Sequence, residues 1–219
     1  MKMRANRFGF HQKRVFGVQT SSIEIDHLLK AWLAISLAFA IMEVGAAGLF
    51  SFSIVVAFLV SALTVGVGFL FHELAHKIVA QRYGCFAEFR ANFQMLLLAI
   101  VMSFFGFLFA APGAVVILGN RRINDKANGI ISAAGPLMNF ALALLFIPLM
   151  MLSNPLMHMI GSYGFTINAF LGLFNLIPIW MFDGAKVLRW SKLFYGLMVF
   201  VGFLLLFAQN IMGKLLGAN

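Results

Sequence analysis

The chain has 219 residues, 62% hydrophobic and 11% charged, with a formal net charge of +9. Soluble domains carry roughly a quarter of their residues charged, so this composition excludes an ordinary soluble protein and points to a membrane. The basic residues fall in short clusters between apolar runs, as in cytoplasmic loops facing anionic lipid, which argues for a bilayer and against nucleic acid as the partner.

Residues 1–27 read as a basic, cytoplasmic N-terminal segment carrying Lys2, Arg4, Arg7, Lys13 and Arg14. A membrane helix needs about 20 mostly apolar residues, and about six segments approach that length. They lie at roughly 28–50, 52–82, 93–118, 129–152, 163–181 and 193–216. No small-residue cleavage site follows the first, so it reads as a retained helix and not a signal peptide. No repeat or linker separates the segments. The expectation is an all-α polytopic membrane protein with one integral-membrane domain over 28–219.

Orientation follows from Lys and Arg. Clusters stand at Lys77/Arg82/Arg90, Arg121/Arg122/Lys126 and Lys186/Arg189/Lys192, while the connections near 45–52 and 153–163 carry none. Placing the N-terminus inside puts 77–90 and 121–126 on one side, so 93–118 must enter the bilayer and return. A helix over 94–110 would rise about 25 Å. An extended return after Ala111-Pro112-Gly113 would run back about 20 Å as a short β-strand shielded by protein. Asn120 is then expected on the cytoplasmic side. The alternative is a single crossing.

The second segment ends in "HELAH", with His72, Glu73 and His76. Positions i and i+4 share a helix face, so the two imidazoles can meet one metal ion. Neutral imidazoles suit zinc, which lowers the pKa of bound water while a neighbouring carboxylate takes the proton. Ionisable groups so close to the bilayer are costly unless paired or metal-bound. A third ligand is wanted, and acidic residues are few. Asp183 follows a helix break at Pro178 and precedes Gly184, at the level of His72 in this orientation. It is preferred as the ligand; otherwise it is a solvated helix-end residue beside Lys186 and Arg189.

His72-Glu73-Leu74-Ala75-His76 together with Asn175-x-x-Pro178-x-x-x-x-Asp183-Gly184 resembles the site-2 protease family of intramembrane zinc metalloproteases, peptidase family M50. "SAAGPLMNF" at 132–140 resembles that family's small-residue helix start. The resemblance covers about residues 52–190, its catalytic core. It implies one zinc ion per chain held by His72, His76 and Asp183, with Glu73 as general base. It also implies that Asn175 donates to the developing oxyanion, Asn139 being a weaker candidate of that kind and read in preference as structural, and that transmembrane proteins are the substrates. The location implied is the cell membrane, with the N-terminus and active-site end cytoplasmic. The family's substrate-receiving strand corresponds to 111–117; the apolar stretch 93–110 before it departs from the simplest family pattern. Two rival readings are a membrane metal carrier, which should show more polar ligands across the bilayer, and a non-cleaving binder, which would not need Glu73.

Overall fold

The computed structural model describes residues 13–15, 17–107, 112–118, 123–179 and 182–215. The basic residues Lys2, Arg4, Arg7, Arg121 and Arg122, as well as Asn120 and Ala111, lie outside them. The described chain starts with an antiparallel hairpin, β1 (Lys13–Val15) and β2 (Val18–Thr20), which turns at Gly17 with φ of 82°.

Helix α1 (Ser22–Gly48) begins six residues before the apolar run because Ser21 caps it. The Ser21 hydroxyl accepts a hydrogen bond from the Glu24 N–H at 3.2 Å, and such a cap contributes about 1 kcal/mol. The helix breaks near its far end at Gly45, whose φ of 62° favours glycine.

The second apolar segment is α2 (Ser53–Ser61), a π turn (Ala62–Gly66) and α3 (Val67–Arg82) in one continuous run. The π turn lies where Trp32 of α1 meets the helix, and its indole N–H donates to the Ala62 carbonyl at 3.1 Å. A side chain at Gly66 would collide with the same indole. This widened turn ends six residues before His72, in keeping with the usual placement of π turns near functional sites.

Strand β3 (Phe86–Ala91) pairs antiparallel with β4 (Gly113–Leu118), from Phe86 opposite Leu118 to Ala91 opposite Gly113. Helix α4 (Phe93–Ser103) lies between the strands in sequence and is capped by Asn92. The Asn92 N–H donates to the Pro112 carbonyl at 2.9 Å, so the chain returns after the excursion to the point it left. The helix is shorter than the expected 94–110, and its 11 residues rise about 17 Å.

Three side chains close the outer edge of β3. Gln81 donates to Ala87 O at 3.2 Å, Phe89 N–H donates to Glu24 at 2.9 Å, and Ala91 N–H donates to His27 Nδ1 at 3.1 Å. Residues 87, 89 and 91 thus direct their backbone groups away from β4. By strand alternation, their partners 117, 115 and 113 direct theirs to the other edge of β4, which no strand covers among the described residues.

Helices α5 (Asp125–Met150), α6 (Pro155–Phe174), α7 (Asp183–Trp190) and α8 (Lys192–Leu215) complete the chain. Asn154 caps α6 with Pro155 in its first turn, so the connection before α6 is shorter than the expected 153–163. One core joins α5, α6 and α8 through Phe140, Phe165, Ala169 and Met198; another joins α1, α3, β3 and α4 through Ile35, Phe39, Phe69, Phe89 and Leu96. Outward faces are apolar too, including Leu97, Leu145, Phe200 and Phe207. Among the described residues, three helical runs are long and apolar enough to cross a membrane: Ser22–Gly48, Ser53–Arg82 and Asp125–Met150.

Candidate metal centre

The H-E-x-x-H pair sits on α3, with both imidazoles turned onto α5. Asp183 comes from the opposite direction. After α6 ends, Pro178 prevents its continuation and the chain folds back. The Gly184 N–H then donates to the Asn175 carbonyl at 2.8 Å. A Cβ at Gly184 would meet the Leu176 backbone, so this close fold-back needs glycine. It makes Asp183 the first residue of α7 and aims its carboxylate at α3.

The result is a buried cluster of His72, His76 and Asp183, with one ligand atom of each within 4.8 Å of the others. The two Nε2 atoms are 3.0 Å apart, and Asp183 Oδ2 lies 3.3 Å from His72 Nε2 and 3.0 Å from His76 Nε2. Lys186 Nζ stands 3.7 Å from the other oxygen, Oδ1.

The surroundings fix the histidine tautomers. His76 Nδ1 lies 2.8 Å from the Ile131 carbonyl, which can only accept, so Nδ1 carries the proton. His72 Nδ1 lies 2.5 Å from Asn139 Oδ1. The Asn139 amide is oriented in turn: its Nδ2 donates to Gly68 O at 3.2 Å and to Asn168 Oδ1 at 3.1 Å. Asn168 is fixed by its own Nδ2, which donates to Gly164 O at 2.9 Å.

Both Nε2 atoms therefore present lone pairs to the carboxylate oxygen. Three acceptors this close repel one another unless a cation lies among them. Two neutral imidazole nitrogens and one carboxylate oxygen are a donor set suited to zinc, with a fourth position left for water or substrate. Space for an ion is preserved by Gly135, where a Cβ would lie 2.6 Å from His72 Nε2 and closer still to His76 Nε2.

Glu73 and Asn175 border this cluster. Both line an apolar cavity of about 390 Å³ and a smaller polar one of about 140 Å³. No hydrogen bond holds the Glu73 carboxylate among the described residues. Asn175 Nδ2 donates one hydrogen to Leu171 O at 2.9 Å, and the amide has a second.

Asn139 orients His72, in line with the structural role preferred for it from sequence over an oxyanion contact. Asn168 was not singled out at all. Its signal was the helical spacing Gly161-Gly164-Asn168-Gly172, which puts a lone amide on the small-residue face of α6 that packs against α5. Removing the amide should weaken metal binding through Asn139. Asn168→Leu is expected to lower zinc affinity about 10-fold, the lower end for partners beyond the ligands. Competition with a zinc-binding dye would measure it.

An apolar helical chain that closes an H-E-x-x-H pair with a distant aspartate has the makings of a membrane metallopeptidase. The model of peptidase family M50 matches residues 60–159, a stretch containing His72, Glu73, His76 and Asn139. The protein named "Putative zinc metalloprotease MJ0611", from Methanocaldococcus jannaschii, is 46% identical over 150 residues, covering 67% of this chain and 78% of that one. "Zinc metalloprotease MJ0392" of the same organism is 30% identical over 129 residues, covering 56% of this chain and 31% of that protein. "Putative zinc metalloprotease Rip3" of Mycobacterium tuberculosis is 32% identical over 125 residues, or 55% of this chain and 28% of that protein. The chain thus spans most of the first relative and under a third of the other two. No solved structure matches. The chain belongs to peptidase family M50, the site-2 protease family of zinc metalloproteases.

Proposed function

We propose that this chain is an intramembrane zinc metalloprotease that hydrolyses peptide bonds within or beside the transmembrane segments of other membrane proteins. The observation that carries the reading is the His72–His76–Asp183 cluster, buried at the end of a 30-residue apolar helical run with Glu73 at its border.

Most basic residues of the described helices lie at the end that holds the metal cluster, which supports a cytoplasmic active site. Arg82 at the end of α3, Lys126 at the start of α5, and Lys186, Arg189 and Lys192 around α7 share the end that holds the metal cluster. The turns at 49–52 and 151–154 carry no Lys or Arg. By the positive-inside tendency, the metal end faces the cytoplasm of the cell membrane. In that frame α1, α2–α3, α5, α6 and α8 cross, and 93–118 enters and returns, giving the six apolar segments.

His72, His76 and Asp183 would hold one zinc ion, which when bound would polarise the scissile carbonyl and acidify the attacking water. Glu73 accepts a proton from the water as its oxygen bonds to the carbonyl carbon. The second N–H of Asn175, which lines both cavities, would donate to the charge that develops on the carbonyl oxygen. As the C–N bond breaks, Glu73 returns the proton to the leaving amine, and transfer of the second proton of the water gives a carboxylate and an ammonium group. The open edge of β4 offers backbone groups to an unwound substrate, satisfying polar atoms that lipid cannot.

The test uses the purified chain in liposomes with a transmembrane test substrate. Chelation should abolish cleavage, and stoichiometric zinc should restore it. Cleavage that persists after the metal is removed would refute the reading.

A further inference from the structure

The metal centre borders two cavities of opposite character: His72, His76 and Asp183 all line the smaller, and His72 lines the larger as well. The larger, about 390 Å³, is walled by Phe39 and Met42 of α1, Phe69 of α3, and Phe170 and Phe174 of α6. The smaller, about 140 Å³, presents Asn128 and Ser132 of α5 and Lys186 of α7. His72, Glu73, Gly113 and Asn175 line both. The boundary between the cavities therefore coincides with the residues placed at the scissile bond.

Two independent elements run along this gradient. On α3, Phe69 borders the larger cavity, His76 the smaller, and Glu73 both. Phe69 and His76 are about 10 Å apart along the helix, the reach of about three extended residues. On the sheet, Pro112 borders the larger cavity, Gly113 both, and Val115 and Ile117 the smaller. The open-edge groups of β4 belong to residues 113, 115 and 117, so a peptide paired there crosses from one cavity to the other as it passes Glu73.

Resting on the proteolytic reading, we propose that this site selects a scissile bond flanked by a large apolar residue on one side and a small polar or acidic residue on the other. A polar side chain seated among Phe39, Met42, Phe69, Phe170 and Phe174 would lose its hydration against side chains that offer no hydrogen bond of ordinary strength in return. A bulky apolar one in the smaller cavity would displace water from Asn128, Ser132 and Lys186, whereas an acidic one would meet the Lys186 ammonium. The substrate class is a membrane protein cut where an apolar transmembrane stretch gives way to polar juxtamembrane chain.

The experiment presents the zinc-loaded chain in liposomes with four transmembrane substrates that carry Leu-Ser, Ser-Leu, Leu-Leu or Ser-Ser across the scissile bond. One mixed order should exceed the other three by about 10-fold or more in kcat/KM, the scale of discrimination for a mismatched apolar pocket. Met42→Trp, which narrows the larger cavity, should raise KM for that substrate and spare its Leu→Ala counterpart. Equal cleavage of all four, or best cleavage of a uniform pair, overturns the proposal. No cleavage of any of them with zinc bound overturns instead the proteolytic reading beneath it.

Discussion

Glu73→Gln should leave the metal site intact and stop peptide hydrolysis. Glutamine has nearly the same size as glutamate, and Glu73 is not among the clustered ligand atoms of His72, His76 and Asp183. Zinc content should therefore stay at about one per chain. The amide cannot take a proton from water at neutral pH, so the general-base contribution is lost; kcat should fall at least about 100-fold, with factors to 10,000 within the usual range. Purified wild type and variant would be compared on one transmembrane substrate, with metal measured on the same samples. Equal cleavage would expose a contaminating protease or a different base. Loss of zinc from the variant would show instead that Glu73 supports the metal site itself. The comparison also separates the protease from a membrane metal carrier, in which a carboxylate outside the ligand set has no proton to move.

The parts of the site that were legible in sequence are those whose logic is local. His72 and His76 are four residues apart in an apolar helix, and helix geometry alone puts them on one face. Asp183 could be reached because Pro178 and Gly184 mark a break, and a break is where a carboxylate can turn inward. The partners of these residues were less accessible. Asn139 and Asn168 are ordinary polar residues in helices until α5 and α6 pack together, at which point their amides can be satisfied only through each other, His72 and nearby carbonyls. Gly135 read as part of a small-residue motif, whereas its particular duty, leaving room beside the two imidazoles, depends on how closely α5 approaches α3.

The fold divides in the same way. Apolar runs located the long helices, but their starts follow capping side chains, as at Ser21 and Asn154, more than the edges of hydrophobicity. The π turn is set by Trp32, 30 residues upstream of the carbonyl it binds. The return of 93–112 follows from strand register and the Asn92–Pro112 hydrogen bond, a long-range pairing that charge bias could suggest only indirectly.

Glu24→Ala is expected to cost about 3–5 kcal/mol of stability, the range for stranding one member of a buried ion pair. Glu24 falls in the segment 1–27 that reads from sequence as basic and cytoplasmic, yet its side chain is fully buried and pairs with Lys77, itself 3% exposed. The same carboxylate accepts from Thr20 Oγ1 at 2.6 Å and from the Phe89 N–H at 2.9 Å. It therefore ties the start of α1 to the metal-bearing helix and to β3. Alanine would leave the Lys77 ammonium buried with no counter-charge and Phe89 N–H without its acceptor. Denaturant unfolding in detergent, followed by tryptophan fluorescence, would measure the loss. Glu24→Gln keeps an acceptor for Phe89, so adding Lys77→Met to it should recover much of the stability by removing the stranded charge. A single alanine variant as stable as wild type would refute the buried-pair argument. If the pair does hold β3, the alanine variant should also bind a test substrate more weakly, because β4 takes its height beside Glu73 from the strand it pairs with. Recovery of KM along with stability in the double variant would tie both effects to that anchorage.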